Sequence, residues 1–566
     1  MQWRLLLAFL LTGLVMFLTP YLYQKFYGPP PKPAQKAPAA QKEAAPPAPA
    51  ATPVKEAAGR KPATTAAKKA AGQRPAPVAA QKEETFAIET DLYRIELSNR
   101  GAVVLRWVLK KYNDSAGKPL ELVNTAAAGK TGHPFSFAFK DRKPAVDVNK
   151  VLYVARPAAD SLGIEYEYSD GLVAARKAFR FERKNYLSRF VSEVSEGGAG
   201  VPHLVEWRGG FGDPAVANPA ASGRTLYYDL AAGKLRVNEA KAAKDGPVST
   251  SGHYSFAGIQ DTYFAAVFLP PRDGQIEIRT LSDTVRGEMN AKEEPHVGAG
   301  IGGAARNEFA VFVGPKNVDI MRQVDPKLEQ VVDFGTWFGF IAKPLFLILN
   351  WANNGFVHNY GWSIVLLTAF INFALLPLKF SSMKSMKRMQ ALQPQIKAIQ
   401  DRYKGIGLRD PRKGQQNQET MDLYKKHGVN PMGGCLPMAL QIPFFIGFYN
   451  VLMVAIEMRG ASWLWVSDLS QPENLPIRIL PVTMIISQFV MQKMTPTTSA
   501  DPAQQKLMLF MPLVFGFMFY HFSSGLVLYW LTSNLVGIAQ QWFINKTSPV
   551  PAVVVQSEAK KKKGTR

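Results

Sequence analysis

The residues best placed to do chemistry in this chain are uncharged polar side chains set inside long apolar segments. Thr368, Asn372, Gln441, Thr483, Ser487, Gln488, Gln492, Ser533, Asn534, Gln540 and Gln541 interrupt runs otherwise made of Leu, Ile, Val, Phe and Met. Helical spacing groups them. Thr368 and Asn372 are one turn apart and Lys379 lies two turns further on, so the three share a face. Gln488 with Gln492, and Ser533 with Gln540, form two more such pairs. Amides and hydroxyls in this setting can join helices, at roughly 0.6 kcal/mol per contact. They can equally line a wet cavity, and the residues alone leave both readings open. The same segments contain no Asp, Glu, Lys or Arg. That disfavours a pump or an ion-coupled carrier, which needs ionisable groups at depth. His358 and His521 are the only histidines nearby, too few for a nucleophile–base or metal pair. His203, His253 and His296 are scattered with no metal-ligand spacing and read as surface or packed residues. Cys435 is the single cysteine, so an intramolecular disulfide and a Cys-based zinc site are excluded. No cofactor or nucleotide motif is apparent.

These residues need elements to hold them. The sequence predicts five spans, at 356–378, 432–456, 479–492, 507–524 and 525–545. The segment 479–492 is short for a hydrocarbon core of about 30 Å, which points to local thinning. A further apolar run at 5–23 follows Arg4, lacks a small-x-small cleavage site, and reads as an uncleaved anchor. Residues 24–84, dominated by Ala, Pro and Lys, cannot bury a core and read as a disordered tether spanning roughly 40 Å. Residues 85–325 change texture: YRIELSN, GIEYEYSD, KAFRFERK and IEIRTL alternate polar and apolar between turn residues, as in an all-β sandwich. Residues 326–355 contain a broken apolar stretch with Lys343 and Pro344 at its middle, read as an interfacial amphipathic helix. The fold class is therefore a polytopic α-helical membrane protein of six spans with an inserted all-β sandwich.

Charge orients it. The loop 379–430 is dense in Lys and Arg, whereas 457–478 is not, so the first faces the cytoplasm and the second the outside. The basic tail 546–566 then also falls inside, as an even number of spans requires. The net charge of +23 suits ribosomal RNA or anionic lipid as a partner. The methionines of MKSMKRMQ (383–390) suit either a groove mouth or packing between hairpin helices.

The stretch NPMGGCLPMALQIPFFIGFYNVL (430–452) resembles the third-span signature of the YidC/Oxa/Albino insertases. QKMTPTTSADPAQQKLMLFMPLVF (492–515) and SSGLVLYWLTSNL (523–535) are similar to the family's fourth-to-fifth junction and sixth span. LQP (392–394) sits where the family has its cytoplasmic helical hairpin, here 381–427. The resemblance covers nearly all of 330–545, and the anchor plus inserted β-domain is similar to the Gram-negative form. It implies a non-enzymatic inner-membrane insertase with a periplasmic domain and cytoplasmic termini. It also implies a hydrophilic groove open to cytoplasm and lipid, carrying Thr368, Asn372, Gln441, Gln488, Ser533, Tyr529 and Trp530. Lys384, Lys387 and Arg388 of the hairpin would serve recruitment. Implied partners are nascent membrane proteins, the Sec translocon, the ribosome and signal-recognition machinery, and anionic lipids. The family's groove usually holds an arginine in T-x-x-x-R; here Thr368-Ala369-Phe370-Ile371-Asn372 puts Asn372 at that position. A wet groove would accept Asn372→Arg, whereas tightly packed helices would not.

Overall fold

Alternation of apolar and polar residues builds the β region. In Val173–Phe181 (VAARKAFRF) every second side chain is buried, as a strand with one face on a core requires. The computed structural model describes residues 76–547 except 115–116, 214–221, 272–273, 287–292, 336–337, 406–409, 411, 431–435 and 496–501. The expected anchor, most of the tether, Cys435 and the tail from 548 onward lie outside the described residues. The contacts discussed below lie within one compact unit, Gly72–Thr498 with Pro512–Arg566.

Thr85–Glu89, Tyr93–Ser98, Val103–Asn113 and Pro119–Glu121 form a four-stranded antiparallel sheet in chain order. A larger sheet surrounds a 13-residue strand, Val248–Gln260. The first part of that strand pairs with Gln275–Arg286, and its second part with Phe264–Leu269 and Arg224–Asp229. One strand thus feeds two faces. Phe135 lies among Phe179, Phe190, Trp207 and Phe268, at ring-centroid distances of 5.3, 4.9, 6.3 and 5.7 Å. Trp107 of the small sheet meets Trp207 at 6.4 Å, so both sheets share one aromatic core.

The tether ends earlier than its composition suggests. Val78 pairs with Ser169 through both backbone groups, and the Ala80 N–H reaches the Leu152 carbonyl at 3.1 Å. Residues 78–84 therefore belong to the β-domain, held by long-range backbone bonds that no local pattern announces. The expected interfacial segment is also shorter. Pro326–Val331 is a 3₁₀ turn whose Leu328 and Val331 are buried, started by Asp325 accepting the Lys327 N–H.

The helical region comprises α1 (Gly339–Ala352), α2 (Tyr360–Ala374), α3 (Leu376–Ala391), α4 (Gln393–Arg402), α5 (Arg412–Lys426), α6 (Leu436–Val454), α7 (Ile479–Met494), α8 (Pro502–Phe519) and α9 (Ser524–Thr547). Asn359 starts α2 by accepting the Trp362 N–H at 3.1 Å. The segment expected as one span at 356–378 breaks at Leu375, where α2 and α3 meet at 56°. Pro377 sits just past the break, where it has no N–H to continue the ladder and its ring crowds the carbonyl four residues back. The hairpin's first arm consequently begins inside the expected span. No single described helix is long and apolar enough to cross a membrane; the bent α2–α3 pair passes that test jointly.

The helical surface is inverted relative to a water-soluble bundle. Phe370, Phe517 and Trp542 are 66%, 80% and 59% exposed, while Thr368, Asn372, Gln540 and Gln541 are buried. Apolar outside and polar inside is the distribution a lipid solvent favours.

Candidate functional site: a polar seam between helices

The face predicted for Thr368, Asn372 and Lys379 is real and hydrogen-bonded. Thr368 Oγ1 donates to the Ile364 carbonyl one turn earlier, at 2.6 Å. Asn372 Nδ2 donates to the Thr368 carbonyl at 2.8 Å and reaches Ser533 Oγ on α9 at 3.4 Å. From α6, Gln441 Nε2 donates to the same Ser533 Oγ at 3.2 Å and reaches Tyr529 Oη at 3.4 Å. Lys379 turns back from α3, its Nζ donating to Asn372 Oδ1 at 2.6 Å and reaching Gln540 Oε1 at 3.4 Å. Gln540 Nε2 closes the circuit on the Asn372 carbonyl at 3.0 Å. Four helices contribute to one network.

A second branch runs between α7 and α9. Trp530 Nε1 donates to Gln488 Oε1 at 3.2 Å, and Asn534 Nδ2 to Ser487 Oγ at 3.0 Å. Gly537 permits the approach, since a β-carbon there would lie 3.0 Å from the end of Met491. The Tyr529 ring stacks on Phe448 at 4.6 Å, which fixes where its hydroxyl points. Exposure divides the seam. Thr368, Asn372, Tyr529 and Gln540 are buried, whereas Gln441, Gln488, Trp530, Ser533 and Lys379 are half-buried.

The sequence puts Lys379 on the face of Thr368 and Asn372, and Gln540 on that of Ser533, but does not bring the two faces together. Their helical phase is legible there; their meeting across α3 and α9 is not.

The recruitment residues separate. Lys384 and Arg388 are exposed on α3. Lys387 is not: it is buried, and its Nζ donates to the Ile544 carbonyl near the end of α9 at 3.1 Å. It follows buried Met383 by one turn and therefore shares Met383's inward face. Met389 is buried as well, with Leu392, Ile396 and Ile399 of the same hairpin. Arg402 Nη2 and Tyr403 Oη of the α4 end donate to Glu419 of α5 at 2.6 and 2.7 Å, which closes the hairpin.

Among the described residues no group of three or more His, Cys, Asp or Glu could hold a metal ion. His203 is packed, not reactive: its Nε2 meets Ser192 Oγ at 2.8 Å, and burial pushes its pKa down to about 4.

An apolar-faced helical bundle with a polar interior, joined to a large β-rich domain, is the arrangement of an integral membrane protein. Residues 351–550 match the 60Kd inner membrane protein family, and residues 85–348 match the YidC periplasmic domain. The membrane protein insertase YidC of Geobacter sp. (strain M21) is 34% identical over 81% of this chain and 85% of its own length. That of Cupriavidus necator is 36% identical over 82% and 83%. A crystal structure of active YidC insertase with its first transmembrane domain resolved covers 82% of this chain and 94% of its own, at 20% identity and a TM-score of 0.36. The chain belongs to the YidC family of membrane protein insertases. It is an inner-membrane protein with a β-rich periplasmic domain, and it acts on membrane proteins without covalent chemistry.

Proposed function

We propose that the seam of Thr368, Asn372, Gln441, Gln488, Ser533, Tyr529 and Trp530 is the insertion groove, open to the cytoplasm and to lipid. Six spans hold it, with both termini in the cytoplasm and residues 85–325 outside. The observation that carries this reading is the coexistence of an apolar outer face with a hydrogen-bonded polar interior whose Gln441, Gln488 and Ser533 remain half-exposed. A charged residue at the bilayer centre costs about 2.5–3.5 kcal/mol on insertion scales. A polar flank held against amides and hydroxyls crosses a thinner apolar barrier. The following apolar stretch then leaves for lipid, each Leu or Ile contributing roughly −0.5 kcal/mol. Partitioning supplies the drive, so no nucleotide is required.

The exposed Lys384 and Arg388 and the basic loop 379–430 would recruit the ribosome with its signal-recognition machinery, or anionic headgroups, through phosphate. Action beside the Sec translocon belongs to the same reading.

Single cysteines at Gln441, Ser533 and Phe517 in a Cys435→Ser background test the groove. The first two should crosslink to a stalled hydrophobic nascent chain and react with a water-soluble thiol reagent added from the cytoplasmic side. Phe517 should do neither efficiently. Crosslinking at Phe517 alone would remove the seam from the substrate's path.

A further inference from the structure

The outward face of the large sheet carries its arginines in ion pairs, except at one end. Arg156 meets Glu167, Arg176 meets Glu165, Arg180 is held by Asp160, and Arg306 lies near Glu193 and Glu308. Strand pairing sets Arg189 opposite both Arg180 and Ala310, so the three share that face. Like charges directly opposite cost stability, and Asp160 relieves only Arg180. Among the described residues no carboxylate comes within ion-pair distance of Arg189, nor of Arg183 and Lys184 in the adjoining turn. All three are exposed, and they border an open cleft of about 630 Å³. Of the described residues that line it only Glu182 is acidic, and its carboxylate accepts from Asn185. With Arg180 cancelled by Asp160, the lining sets three cations against one carboxylate.

The turn packs at the end of the β-domain that meets the helices. The Asp91 N–H donates to the Arg183 carbonyl at 3.4 Å, and the Val313 N–H to that of Tyr186 at 3.1 Å. A β-carbon on Gly314 would strike the Tyr186 ring. Three residues on, Asn317 donates to Glu457. Phe264 pairs with Pro315, and its ring and that of Tyr263 lie under the Arg459 guanidinium. Beyond Arg459 come exposed Leu464 and Trp465, and Trp351 is exposed at the end of α1, side chains suited to a membrane interface. The turn thus stands at the membrane-facing end of the domain.

We propose that Arg183, Lys184 and Arg189 bind the phosphate of an anionic phospholipid in the outer leaflet, a contact that seats the β-domain on the membrane. The proposal rests on the orientation above, with residues 85–325 outside. Arginine forks match phosphate oxygens, and Lys184 adds a compact point charge. A lipid is favoured over an emerging polypeptide by place. The cleft is bounded by β-domain residues alone, whereas the polar seam lies between helices. The Arg459 contacts hold the domain to the end of α6, and the lipid contact holds the neighbouring end of the sheet to the leaflet.

The test uses the full-length protein in phosphatidylcholine vesicles that contain a trace of phosphatidylglycerol with a photocrosslinker in its headgroup. Crosslinks should map to residues 180–189 and exceed those from phosphatidylcholine carrying the same group. Arg183→Gln, Lys184→Gln and Arg189→Gln should each lower the yield about fivefold, the worth of one cation near an anionic surface. Lys184→Arg should keep it. Arg180→Gln with Asp160→Asn removes two charged groups but no net charge, and should leave the yield within about twofold. A loss in that pair as large as in the single variants would overturn the proposal, as would an unchanged yield in all three single variants. If the Gln variants instead reduce crosslinking of the cleft to a stalled nascent chain while the lipid yield holds, the cleft serves the polypeptide and the proposal falls. Orientation is read separately. Leu172→Cys, exposed on the same domain, should react in a Cys435→Ser background with an impermeant thiol reagent added outside spheroplasts. Reaction only from the cytoplasmic side would overturn the orientation first, whereas outside reaction with unaltered lipid yields would remove this inference alone.

Discussion

Lys387 and its neighbours Lys384 and Arg388 look interchangeable as a string of letters, yet they occupy different environments. Lys384→Gln with Arg388→Gln removes two exposed cations, and each phosphate left without its cation should reduce the salt dependence of ribosome binding by about one logarithmic unit of slope. Protein level should stay the same. Lys387→Gln should instead strip the Ile544 carbonyl of its donor and cost about 1–2 kcal/mol, seen as a lower Tm in detergent with ribosome binding little changed. Identical effects from both variants would erase the distinction. The contrast marks how far single residues can be read. Helical phase placed Thr368, Asn372 and Lys379 on one face, and the contact of Lys379 with Asn372 persists although the break at Leu375 puts Lys379 on α3. The inward turn of Lys387, the meeting of Asn534 with Ser487, and the reach of Lys379 to Gln540 depend on which helix stands opposite. Spacing within a helix carries no such information.

At the scale of elements, the break between α2 and α3 decides where Lys379 points. A proline within an apolar segment does not by itself announce a bend, since neighbouring helices can satisfy the freed carbonyl and keep a span continuous. The single span expected at 356–378 and the hairpin expected after it therefore merge into one bent pair. The β region was more legible, because alternation is a local signal and strands such as Val173–Phe181 display it plainly. Its border at Val78 was not, because a backbone bridge to Ser169 leaves no mark in Ala- and Pro-rich sequence. If Pro377 causes the bend of 56°, Pro377→Ala should straighten the pair. Spin labels on Leu366 and Lys384, both exposed, should then separate by roughly 3 Å more, given a rise of about 1.5 Å per residue. An unchanged distance would mean that packing against α9, and not the missing N–H, imposes the bend.

At the scale of the whole molecule, the β-domain and the helical region share buried apolar packing and are joined by polar contacts beside α6 and α1. Arg459 pairs with Asp213 at 2.5 Å and donates to the Asn113 carbonyl at 2.8 Å, and Asn317 Nδ2 donates to Glu457 Oε1 at 2.8 Å. Lys343 of α1 pairs with Glu329. None of these residues belongs to the seam. Removing 85–320 while keeping α1 should therefore leave insertion largely intact, and complete loss by a stably expressed deletion would show that the domain positions the spans. The junction itself should respond to pH. Burial, with Asp319 adding to it, raises the pKa of Glu457 from its ordinary 4.5 to about 7. An acid whose pKa is higher in the docked form favours docking when protonated. The contact is then strongest below about pH 4.5, weakens as pH rises toward 7, and changes little beyond it. Asp261, buried and raised to about 6, shifts the β-domain in the same direction, so the wild-type curve alone cannot assign the effect. Glu457→Gln does assign it: the amide still accepts from Asn317 and cannot ionise. Hydrogen exchange should show Val318–Val324 and Ile456–Met458 better protected at pH 5.5 than at pH 8 in the wild type, at about the same level at both pH values in Glu457→Gln. Protection that still falls with pH in the variant would place the titrating group elsewhere in the domain.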